Sequence, residues 1–163
     1  MHIPLPVQLP NSGLLYQFLL WLLSDVEAHV APVVVKDELL DLLQQLALEL
    51  RAVSPDPTVL SGLAKKSSLI EHNIWKGSSS LSSAVGKFHG HVASALGFAA
   101  AAIACAAAAA ADPKDIDSAT EAASNTALVV EFAALAAGAD GHAAYARERA
   151  YQMKKLRELT ASP

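Results

Sequence analysis

Between residues 92 and 111 the chain reads VASALGFAAAAIACAAAAAA, an uncharged run built almost entirely of small side chains. Alanine is the strongest helix former and loses no side-chain entropy on burial, so the run predicts a helix that neighbours approach closely. Extended toward the N-terminus, the reading gives one long helix over about 80–111. Leu81, Val85, Phe88, Val92, Leu96, Ala99 and Ile103 form a seam at alternating spacings of four and three along it. Gly86, Gly90, Ala93 and Gly97 make a second line of very small residues. Each glycine costs about 1 kcal/mol against alanine inside a helix, which predicts a groove where another backbone comes close, Gly90 included.

The rest of the chain reads as helices around this one. Pro4, Pro6 and Pro10 make residues 1–12 an extended leader, and residues 13–160 form a single helical domain. Asn11 or Ser12 caps a first helix to about His29, with a polar stripe at Gln17, Ser24, Asp25 and Ala28. A second helix, 33–52, turns Leu39, Leu42, Leu43, Leu46, Leu50 and Val53 inward. Thr58 caps a third, which Gly77 and the following serines end. Asp112-Pro113 opens a fifth, stopped by Gly138. The last, 142–159, turns Ala143, Ala146, Ala150, Met153, Leu156 and Leu159 inward. The expected fold is therefore all-α, a single-domain bundle of about six helices around a long Ala/Gly-rich central helix.

Composition narrows the function classes. The net charge of −4 gives no general attraction to nucleic acid and suits a basic partner. Residues 92–111 are long enough to span a bilayer, but alanine is close to neutral for insertion, so a packed helix is the better reading than a membrane-associated one. A single cysteine, Cys105, forms no internal disulfide and lies among alanines as an apolar filler.

Chemistry-bearing motifs are absent. No phosphate loop, Gly-x-Ser-x-Gly or His-Glu-x-x-His pattern occurs, so no catalytic residue, cofactor or metal is expected. His89 and His91 point about 200° apart on a helix and cannot share an ion. His72, His89, His91 and His142 converge only if the fold brings them together. Glu131 is the lone charge in a run of apolar residues, yet Asp117, Glu121, Ser124 and Leu128 trace nearly the same face, which reads as a solvated stripe. Two groupings remain as a partner-binding surface. Glu71, His72, Trp75 and Lys76 place a tryptophan among charges, and Lys87 and His91 line up with Phe98 on the long helix.

From Ala146 the chain reads Ala-Arg-Glu-Arg-Ala-Tyr-Gln-Met-Lys-Lys-Leu-Arg-Glu-Leu. This ending, after an alanine-rich helical body, resembles the alanine-rich immunity proteins of bacterial polymorphic-toxin systems. The resemblance rests on residues 146–159 and implies a small cytoplasmic helical protein that blocks a cognate toxin without catalysis. A homo-oligomeric scaffold, pairing through the glycine-lined groove, is the alternative reading of the same residues.

Overall fold

The computed structural model describes residues 6–32, 38–84 and 87–161, with side chains 77–89 outside the description. Six helices make up the fold: α1 (Ser12–Val30), α2 (Glu38–Leu50), α3 (Pro57–Ala84), α4 (Lys87–Ala111), α5 (Ile116–Ala136) and α6 (Gly141–Ala161). No strand occurs among the described residues, and the all-α bundle expected from the sequence is the one observed.

The alanine tract forms most of α4, which packs against α1, α2, α3 and α5. Ala99, Ala100, Ile103, Ala106, Ala107 and Ala109 are buried along it. α5 meets it with small residues of its own, Ala119, Ala122, Ala123 and Ala127. Small residues on both sides let two helix axes come close. Large side chains enter from α1, where Phe18, Leu19, Leu22, Leu23 and Val26 are at most 2% exposed. Of the polar stripe expected on α1, Gln17, Ser24 and Ala28 face outward, whereas Asp25 is half-buried, with its Oδ2 shut off from water. Val7 joins the leader to this core, its N–H donating to Thr120 Oγ1 at 3.0 Å.

Gly90–Ala111 is long and apolar enough to cross a membrane by length and composition, and 67% of its most apolar window is buried against the other helices.

Several boundaries differ from the sequence reading. The central helix begins at Lys87 rather than near Ser80, and it is continuous through Gly90. α3 runs on through Gly77 and the serines to Ala84, so Leu81 belongs to α3, and Val85 and Gly86 lie outside the described residues. Short-range propensity against serine is only a few tenths of a kcal/mol, too little to end a helix. Asp56, not Thr58, caps α3: its Oδ1 accepts the Thr58 N–H at 2.9 Å, and Pro57 takes the first helical position. Likewise Asp115 caps α5, accepting the Ser118 N–H at 3.0 Å, while Asp112 and Pro113 form the preceding turn. The bonds from Ser118 hold the Asp115 carboxyl below the usual range. Asn11 caps α1 and Gly138, at φ 78°, ends α5, both as the sequence implies. The start of the expected second helix, 33–37, lies outside the described residues, and Val53 is fully exposed beyond the end of α2 rather than inward.

Candidate partner-binding face and a buried polar cluster

Three of the six surface residues singled out by sequence, Glu71, Trp75 and His91, meet at one aromatic cluster. The Trp75 indole Nε1–H donates to Glu71 Oε2 at 3.0 Å, one turn back on α3. Its ring lies edge-on to Phe98 of α4, with centroids 5.0 Å apart. Phe98 stacks on Phe132 of α5 at 5.4 Å, and the His91 ring lies 6.0 Å from Phe132. Trp75 rests directly over Gly97: a Cβ built there would sit 2.6 Å from the indole. The close approach predicted for the glycine line is therefore made at Gly97, by a side chain of the same molecule. Gly90 has no described neighbour within 4 Å of a built Cβ, which corrects the expectation placed on it. Among the described residues no three His, Cys, Asp or Glu side chains could hold a metal. His72 is exposed on α3, His91 stacks near Phe132, and His142 is exposed at the start of α6; His89 lies outside the described side chains.

His72 and Lys76 project to solvent, whereas the Lys87 side chain lies outside the description. By helical spacing, His72 and Lys76 continue the outer side of α3 from Leu69. That side borders a groove of about 370 Å³ between α2 and α3. α2 supplies Glu38, Asp41, Leu42 and Gln45; α3 supplies Lys66, Leu69 and Ile70. Asp41, Gln45 and Leu48 follow one another at spacings of four and three on α2, as do Val59, Gly62, Lys66 and Leu69 on α3. Leu48 and Leu69 are 71% and 61% exposed, and Val59 43%. The two stripes run antiparallel across a short turn that Glu49 fastens, its Oε1 accepting the Asp56 N–H at 2.7 Å. Nothing lies within 4 Å of a Cβ built at Gly62, so the glycine leaves the α3 edge open. Gly62→Ala is expected to raise the unfolding free energy by up to about 1 kcal/mol, read by urea denaturation, because the added methyl meets only solvent.

A third grouping escaped the sequence reading. Glu148, Arg149 and Gln152 of α6 are buried, at 3%, 8% and 1% exposure. Arg149 donates to Gln152 Oε1 at 2.7 Å, and Gln152 Nε2 donates to the Ala123 carbonyl of α5 at 2.8 Å. Glu148 meets Asp25 of α1. Of the six residues expected inward, Ala146, Ala150 and Met153 face outward instead, Ala143 and Leu156 are half-buried, and Leu159 is buried. The buried line is Ala144, Glu148, Gln152 and Leu159, at spacings of four, four and seven, and half of it is polar.

Glu131 is also buried rather than on a solvated stripe. It is 6% exposed and its Oε1 lies 3.3 Å from Nδ1 of His142, across the α5–α6 turn. Helix curvature of the stripe does not carry it outward, because α6 returns over that end of α5 and Gly141 sits against Leu135 and Glu131. Cys105 is half-buried between Glu121 Oε2 at 3.7 Å and Asn125 Nδ2 at 3.8 Å. Burial, then the Glu121 charge, push its thiol up to about 12, so it stays protonated and unreactive near neutral pH.

No family model, curated protein or solved structure matches this chain.

Proposed function

We propose that the chain is a non-catalytic helical binding protein that takes a basic protein partner, acting as an immunity protein that neutralises a cognate bacterial toxin in the cytoplasm. The observation that carries the reading is the α2–α3 groove. Leu69 lines it exposed beside half-buried Ile70, with Glu38 and Asp41 on the α2 side, and Leu48 and Val59 stand exposed farther along the same two helices. Isolated exposed apolar residues are ordinary, but an apolar groove continued by exposed apolar side chains on both flanking helices marks an interaction surface. The carboxylates, and the net charge of −4, complement a cationic amphipathic helix of the partner. The 146–159 resemblance supplies the toxin as the partner class.

Co-expression with the product of the gene immediately upstream tests the reading. The expected result is co-elution as one complex and protection of cells from that product. Neither co-elution nor protection would overturn it. Within such a complex, Leu69→Lys is expected to weaken binding roughly tenfold to a hundredfold, as loss of a central apolar anchor does. Its melting temperature should stay close to that of the parent, because an exposed substitution changes stability by about 0.5 kcal/mol or less. Unchanged affinity would move the partner off this groove.

A further inference from the structure

α6 crosses α1 at a point where two carboxyl groups face each other away from water. Glu148, 3% exposed, meets Asp25 side chain to side chain across the two helices. Ionised carboxylates only accept, so two carboxyl groups in contact can bond to each other only with a proton on one of them. One oxygen of each, Asp25 Oδ2 and Glu148 Oε1, is buried and meets no donor. A second negative charge would thus enter a site with no hydrogen bond to receive it.

We propose that Asp25 and Glu148 hold one proton between them, and that this proton latches α6 onto α1. The charged neighbours do not supply the missing compensation. Arg149, adjacent on α6, turns to Gln152, and its second amino group is itself buried without a partner. Tyr145, also on α6, acts on Arg149, and Glu131 of α5 acts on Tyr145. From α5, the Ala123 carbonyl is taken up by Gln152. Burial and then the Asp25 contact outweigh the attraction of Arg149 and push the Glu148 carboxyl up to about 9.

The folded chain therefore keeps a proton that the unfolded chain releases in the ordinary glutamate range. Stability from this site is complete at low pH and declines as pH rises. The decline is about tenfold in the unfolding equilibrium per pH unit, levelling above about pH 9. Urea denaturation between about pH 5 and about pH 9 tests this on the parent chain and on Glu148→Gln, which keeps a donor for Asp25 but cannot titrate. The parent should lose stability at close to the one-proton slope, and the variant should be nearly flat across the same window. Equal slopes in the two proteins would overturn the proposal. Infrared spectroscopy of the parent chain gives a readout that needs no variant. A protonated-carboxyl stretch should be present at neutral pH and lost in alkali, in step with faster amide exchange along α6. Its absence at neutral pH would equally overturn the proposal.

Discussion

Gln152→Leu is expected to lower the unfolding free energy by about 3 kcal/mol, although it replaces a buried polar side chain with an apolar one of similar size. Gln152 is the acceptor that answers Arg149 and the donor that ties α6 to the Ala123 carbonyl of α5. Removing it leaves a guanidinium, already buried and with one amino group lacking a partner, without its 2.7 Å bond. An orphaned buried charge costs far more than the roughly 1 kcal/mol that a leucine gains by burying extra apolar area there. Urea denaturation at neutral pH measures the difference. A loss under about 1 kcal/mol would mean that water enters and takes over the bonds of the amide.

Gly97→Leu is expected to cost about 3 kcal/mol or more in the same measurement. Even the first carbon of the new side chain would stand 2.6–2.9 Å from three atoms of the Trp75 ring. The indole cannot simply swing away, because Nε1 is bonded to Glu71 and the ring edge is seated on Phe98. Relief requires α3 and α4 to separate, and Ser67, whose Oγ donates to the Ala100 carbonyl at 2.7 Å, resists that. Overpacking of a well-filled contact costs about 1–3 kcal/mol, with more where the neighbours are fixed. A tryptophan fluorescence shift should accompany the loss, since Trp75 must leave its place. An unchanged melting temperature would show that the ring is not held over Gly97.

The helices themselves were legible because apolar spacing and caps are local signals. Asn11 and Gly138 fulfil the roles their types imply, and the leucines of α2 point inward as their period requires. The candidate surface was half legible. The tryptophan among charges was visible, with Glu71 one turn back, but Phe98 closes on it from another helix, which no local pattern encodes. The buried polar cluster was missed for a different reason. Inward residues were identified by apolarity, whereas on α6 the inward stripe is made of Glu148 and Gln152, whose partners come from α1 and α5. Glu131 did carry a signal, a lone charge among apolar residues, but neighbouring polar positions masked it until α6 folded back over that end.

The alanine-on-alanine contact between α4 and α5 gives the chain an uneven tolerance to change over evolutionary time. Each alanine there contributes little transfer energy and has no rotamers to freeze, so trimming one to glycine removes little beyond about 1 kcal/mol of helix preference. Enlarging almost any of them, by contrast, forces two helix axes apart at every level of the stack. Drift along these positions should therefore move among Ala, Ser, Gly and Cys and seldom beyond. Cys105, a small sulfur-bearing residue in the middle of the tract, has the size that this contact accepts.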